Sequence, residues 1–196
     1  MSEKPNLPGV PAGDESPADF TLPHTRVSDA LDGFVRRIGQ VAAWVWAILV
    51  LVIVYNVIQR YVFGIGAIWL EELQWHIYAV GFIIGLSYAV SADRHVRVDV
   101  LAERWGMRTK AWVEFAGIVL LLLPFTIAIL TAGVPFVWTS YTLNEVSAAP
   151  GGLGYRWVLK SFILWGFGLL IIAATARLLR CMALLFGWPR PIWPRG

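Results

Sequence analysis

The sequence predicts an all-α integral membrane protein: four transmembrane helices, both termini cytoplasmic, and a disordered N-terminal tail. Three observations predict it. Hydrophobic residues make up 58% of the 196 residues and charged residues 15%, where soluble domains carry roughly 45–50% and about 25%. The charges leave four long apolar runs between them. Lys and Arg gather on alternate flanks of those runs. With a mean hydropathy of +0.64, a soluble fold of this size would lack the polar surface to cover itself, which argues against an ordinary cytosolic enzyme. One cysteine, Cys181, rules out a disulfide scaffold. The net charge of +3 is not read as nucleic-acid binding, because the basic residues sit beside apolar runs, as membrane topology signals do.

Residues 1–37 differ from the rest. Pro5, Pro8, Pro11, Pro17 and Pro23 are mixed there with Gly9, Gly13 and scattered charges. No apolar run follows Met1, so no cleavable signal peptide is expected. The segment reads as a disordered tail leading into a short cytoplasmic helix from about Ser28, which can cap it, with Leu31, Phe34, Val35 and Ile38 on one face.

Residues 38–59, 73–92, 115–144 and 161–176 carry no Asp, Glu, Lys or Arg. A spanning helix needs about 20 mostly apolar residues. The first three runs suffice. The fourth is short, but Lys160 and Arg177 can extend their stems and keep their charges at the interface. Pro124 predicts a tilt or kink in the third run, and Pro135 its end. The spans are therefore placed at about 39–61, 70–92, 111–136 and 157–178, within a membrane domain over 38–180. Residues 181–196 are left as a cytoplasmic tail. Most tryptophans fall near these ends, including Trp44, Trp46, Trp69, Trp112, Trp138, Trp157 and Trp188, where indole prefers the headgroup layer. Trp75 and Trp165 lie deeper and read as packing residues.

Orientation follows from the basic residues. The N-terminal segment, the loop between spans two and three, and the C-terminal end hold most of them; the other side has Arg60, Arg156 and Lys160. The positive-inside rule puts both termini in the cytoplasm. The outer loops are then about 61–70 and 139–156, the second turn-rich through Pro150, Gly151, Gly152 and Gly154.

Candidate functional residues cluster at span ends. Glu71 and Glu72 open span two, where the helix dipole favours acids. Adjacent helical residues point about 100° apart, so the pair does not converge for acid–base work, and its functional reading is contact with a partner. His76 shares a face with Glu72. One His and one Glu are too few for a metal, and a polar contact to a neighbouring helix is the expected role. His24 and His95 lie outside the spans, which excludes a bis-histidine haem within this chain. No cofactor is expected. Asn56, Gln59 and Arg60 form a stripe at the outer end of span one, read equally as interfacial solvation or a partner-facing surface. Lys110 is placed to pair with Glu114 one turn on. Gly81 and Gly85 make a GxxxG that permits close helix approach, and Gly166 and Gly168 offer the same on span four. No matched pair of broken helices and no internal repeat is visible, which argues against a complete carrier.

Trp69-Leu70-Glu71-Glu72-Leu73, then span two, then His95-Val96-Arg97-Val98-Asp99, resembles the DctQ-like small membrane subunit of TRAP (tripartite ATP-independent periplasmic) transporters. Asn56 through Arg60-Tyr61-Val62-Phe63, Pro124, the Glu145-Val146-Ser147 and Gly151-Gly152-Leu153 loop, and Trp157 with Lys160 are similar too. Gly154 departs from the proline expected there. The resemblance covers roughly residues 35–180. It implies a non-enzymatic scaffold in a bacterial inner membrane, set in membrane lipid and packed on a large multi-span permease subunit that holds the substrate and sodium sites. It also implies a periplasmic binding protein delivering an organic acid or similar solute. The residues expected to meet these partners are Asn56, Arg60, Trp69, Glu71, Glu72, His76, Gly81, Gly85, His95, Arg97, Asp99, Glu145 and Lys160. Two other classes stay open: a membrane anchor subunit of a redox enzyme, and a self-sufficient homo-oligomeric transporter.

Overall fold

The computed structural model describes residues 22–92 and 105–192. Its elements are α1 (Arg26–Ala42), α2 (Trp44–Tyr61), α3 (Ile68–Ser91), α4 (Met107–Gly117), a π-helical turn (Ile118–Leu122), α5 (Leu123–Thr142) and α6 (Arg156–Phe186). No strand occurs among the described residues. Four helical stretches are long and apolar enough to cross a membrane: Arg26–Tyr61, Ile68–Ser91, Met107–Thr142 and Arg156–Phe186. The chain is therefore a multi-pass membrane protein. Two stretches have 36 residues, about 54 Å of helix, well beyond the roughly 30 Å of a hydrocarbon core.

Local chemistry explains where the observed elements depart from the expected ones. Helix α1 begins at Arg26, with Thr25 and not Ser28 as its cap. The Thr25 hydroxyl accepts from the Ser28 N–H at 3.1 Å, and the Ser28 hydroxyl accepts from the Thr25 N–H at 3.0 Å. This is a capping box. Pro124 lacks an N–H, and its ring would press on the carbonyl four residues back. The backbone widens to a π turn just before it, where the Leu123 N–H reaches the Ile118 carbonyl. Pro135 does not end the helix; α5 continues through it to Thr142. Stopping would expose several backbone groups to a medium without hydrogen-bond partners, whereas one proline removes a single donor. Helix α6 runs past 178 to Phe186, because Leu184 and Leu185 pack on a buried cluster of Leu22, Ala111 and Cys181. Trp75 and Trp165 are each 71% exposed, so they face outward and do not pack internally.

Helix α6 is the centre of the bundle. It packs against α1, α3, α4 and α5, while α2 packs chiefly on α3. Helices α3 and α6 run parallel and touch closely. Ile83 of α3 lies directly over Gly166, where a Cβ would overlap its side chain. The Ser87 hydroxyl donates to the Gly166 carbonyl at 3.0 Å. Val35, Val90, Leu170 and Ala173 form the adjoining apolar core. On α3, Gly81 receives Trp46 and Val45 of α2, whereas Gly85 and Gly168 have open space.

One end of the bundle is closed by a buried polar network. Asp32 of α1 is 6% exposed. It pairs with Arg180 of α6 and accepts from the Ser91 hydroxyl of α3 at 2.9 Å. Arg180 also reaches the Ser28 hydroxyl at 3.2 Å. Nearby, Arg177 of α6 pairs with Glu114 of α4.

Gly166→Ala is expected to loosen the α3–α6 contact at a cost of about 1–3 kcal/mol. Combining it with Ile83→Ala should destabilise less than the two single changes summed. Thermal unfolding in detergent measures both, and strict additivity would show that this contact does not limit packing.

Candidate functional site

The opposite end is organised around Glu72. Helix α3 starts at Ile68, and its cap residue Ala67 offers no side-chain acceptor. Glu71 falls in the first turn, where the helix dipole favours an acid, and Glu72 follows directly after it. They part company from there. Glu71 turns to α2, where its carboxylate meets Arg60 at 3.3 Å with both side chains well exposed. Glu72 turns to the 143–155 loop. It accepts hydrogen bonds from the Ser147 hydroxyl and, at 2.6 Å, from the Leu153 N–H.

The loop is shaped to reach this carboxylate. Its own ladder runs from the Ser147 N–H to the Leu153 carbonyl at 3.0 Å and from the Arg156 N–H to the Glu145 carbonyl at 3.3 Å. Gly151 adopts φ +74°, which glycine tolerates without steric cost. At Gly152 a Cβ would sit 2.8 Å from the Glu72 carboxylate and nearer still to Ser147. A side chain there would push the loop off Glu72.

A second pair anchors the loop to α6. The Lys160 ammonium bonds to the Glu145 carboxylate and lies 3.9 Å from the Phe136 ring centroid. The Lys160 hydrogen bond holds the Glu145 carboxyl below its ordinary 4.5. Trp138, Tyr141 and Trp157 flank the pair, with Tyr141 and Trp157 edge to face at 5.3 Å. The end thus carries charge, aromatic rings and an ordered loop. Among the described residues, no three His, Cys, Asp or Glu side chains gather as metal ligands.

The residues singled out from the sequence divide clearly. Glu72, Glu145 and Lys160 are drawn into one assembly, and Arg60 and Glu71 into a second. His76 sits one turn below Glu72, and its Nδ1–H donates to the Glu72 carbonyl at 2.6 Å. Asn56 is half-buried, and Trp69 is exposed at the start of α3. Gly81 packs internally, and Gly85 borders an open groove with Tyr88 and Gln40. His95, Arg97 and Asp99 lie outside the described residues. Glu114 is met by Arg177 across helices, beyond the one-turn Lys110 partner read from spacing.

Sequence reasoning missed Ser147 and Leu153 as partners of Glu72, and Asp32 and Arg180 as partners of each other. Asp32 and Arg180 are 148 positions apart, and periodicity does not reach that far. The Gly151-Gly152 pair was the available signal for the loop closure.

The family described as tripartite ATP-independent periplasmic transporters, DctQ component, matches residues 49–184. The chain belongs to the DctQ family. No curated protein matches it. DctQ proteins are the small component of TRAP transporters, which places this chain with a large permease and a binding protein in general terms. The matched region runs from α2 to the last turn of α6 and takes in the whole Glu72 assembly. Helix α1, with Asp32, precedes it.

Glu72→Gln in this DctQ chain should open the 143–155 loop and speed its proteolytic cleavage several-fold. Glu71→Gln should leave cleavage nearly unchanged, since exposed ion pairs contribute little. Equal rates in the two variants would remove Glu72 from its central place.

Because Glu145 titrates below its ordinary 4.5, its pairing contributes stability that is fully present above that value. The contribution is lost as pH falls through the depressed one. The loop should therefore stay ordered as pH drops through the ordinary glutamate range and loosen only below it. Amide exchange of the Arg156 N–H across that range checks the direction; loosening above pH 4.5 would contradict it.

Proposed function

We propose that this chain is the stationary scaffold subunit of a sodium-coupled TRAP transporter for an organic acid or similar solute. In this reading it sits in a bacterial inner membrane with both termini cytoplasmic. It packs against the large permease subunit, enlarging the fixed body against which the transport domain moves. It binds no substrate and performs no enzymatic step. The Glu72 end faces the periplasm, where the binding protein docks.

The observation that carries this reading is where the charges lie. Residues 38–59, 73–92, 115–144 and 161–176 contain no Asp, Glu, Lys or Arg. The ion pairs of the bundle fall at its two ends: Asp32–Arg180 and Glu114–Arg177 at one, Glu71–Arg60 and Glu145–Lys160 at the other. A carrier of organic anions and sodium needs polar groups near the midplane, commonly on broken helices. Among the described residues this bundle carries no acidic or basic side chain there, and its proline-bearing span stays helical throughout. Helix α2 supports the same reading, since only 6% of its span is buried by the rest of the chain, against 39% for α6. The orientation is supported by the basic residues: Arg26, Arg36, Arg37, Arg108, Lys110, Arg177 and Arg180 favour a cytoplasmic Asp32 end.

A tagged copy expressed with its chromosomal neighbours and extracted in mild detergent should bring down a large apolar permease at a one-to-one ratio. A homo-oligomer without such a partner, able to transport after reconstitution alone, would overturn the scaffold reading. A haem spectrum in the purified chain would favour the redox-anchor class instead.

A further inference from the structure

Helix α1 leads into α2 without leaving the helical path. Ala43 between them keeps helical dihedrals, and its N–H bonds to the Gly39 carbonyl at 2.9 Å. One face of this long helix repeats every seventh residue: Val27, Phe34, Val41, Ile48 and Tyr55 are each 50–73% exposed. Positions 30, 37, 44, 51 and 58 fall between them on the same face and are exposed too. Alternating steps of three and four are the spacing of a seam between two helices packed side by side. Arg37 is the one charge in it, and it meets no carboxylate among the described residues. The charge-free part of this helix, residues 38–59, is about 33 Å long and matches the thickness of a hydrocarbon core. Phe34 and Val27 then lie about 6 and 16 Å beyond that part along the axis. Helix α1 stands there beside α6, with Asp32 against Arg180, so the seam runs on past the lipid tails.

We infer that this seam receives a helix of the large permease that also extends beyond the bilayer and sets an Asp or Glu level with Arg37. The inference rests on the scaffold reading and orientation above and names the surface they use. Three occupants compete for such a face, and the observations separate them. Lipid tails cover the seam as far as residue 38, and a lipid phosphate answers Arg37. Neither reaches Val27 and Phe34, which keep the register of the embedded half. A second copy of this chain enters the membrane the same way round, so it pairs in parallel and brings Arg37 against Arg37. Like charges set against each other at an interface oppose the pairing. A helix of a different protein meets both demands: it covers Phe34 and Val27 and supplies the carboxylate.

Photo-crosslinking in the complex expressed with its chromosomal neighbours tests this. A benzophenone amino acid placed at Val27 or Phe34 should capture the large permease. Arg37→Glu, at an exposed side chain, should lower that yield about tenfold at unchanged membrane level, through like charges at the seam. Arg37→Lys should retain most of it. Full yield with Arg37→Glu would overturn the inference. So would capture at Val27 and Phe34 of a second copy of this chain, of residues 1–21 of the same chain, or of lipid alone. Capture of the permease from a probe at Leu120 on the π turn, with none from Val27 or Phe34, would overturn the inference while leaving the scaffold reading intact. Absence of the permease from every preparation would overturn both.

Discussion

Apolar helices inside hydrocarbon gain little from the water-driven attraction that holds soluble cores, because the lipid tails are as apolar as the helices. Everything else in this structure follows from that constraint. Association must come from close backbone approach and from polar groups satisfied across helices. Gly166 under Ile83 supplies the first, and the Ser87 hydroxyl on the Gly166 carbonyl supplies the second at the same point. Towards the two ends, polar side chains link elements far apart in sequence. Arg180 joins α6 to α1 through Asp32, which also accepts from Ser91 of α3, and Glu72 joins α3 to the loop before α6. Breaking a buried pair such as Asp32–Arg180 leaves an uncompensated charge and costs about 3–5 kcal/mol, so these few contacts fix the register of the bundle.

The two ends use the same chemistry for different purposes. At the Asp32 end the partners lie on helices, and the result is three helices, α1, α3 and α6, tied together. At the Glu72 end the partner is a loop. A regular helix, whose interior N–H groups are already committed to its own carbonyls, could not place a serine hydroxyl and a backbone N–H on one carboxylate, but a glycine turn can. Gly151 supplies the positive φ and Gly152 the absence of a side chain. Lys160 on α6 holds the start of the loop through Glu145.

Much of this was legible in the sequence, and the reasons are physical. The absence of charge over four long runs is a local property, so the number of long apolar helices could be read directly. Pro124 announced a break in regularity, which takes the form of a π turn. Pro135 was read as a stop because proline ends helices in water. In a membrane the exposed backbone of a stop costs more than the proline does. Trp75 and Trp165 were read as packing residues from depth alone, yet both face outward, since depth does not determine which side of a helix a residue occupies. At the site, Glu72, Glu145 and Lys160 stood out as charges near apolar runs. Their partners Ser147 and Leu153 did not, because a hydroxyl and a backbone N–H carry no signal until the loop closes.

The internal use of carboxylates bears on what the Glu72 end can offer a partner. Glu72 is committed to Ser147 and Leu153, and Glu145 to Lys160. Neither can leave its place without loosening the loop. The Arg60–Glu71 pair differs: its side chains are 59% and 44% exposed, and it links only two neighbouring helices. Under the proposed orientation this pair is the mobile charge on the periplasmic surface, free to exchange its internal contact for one across an interface at little cost. A docking protein that engaged Glu72 would have to unmake the scaffold. One that engaged Glu71 or Arg60 would leave it whole, so the division between two adjacent glutamates separates the residue that holds the platform from the residue that can meet a visitor.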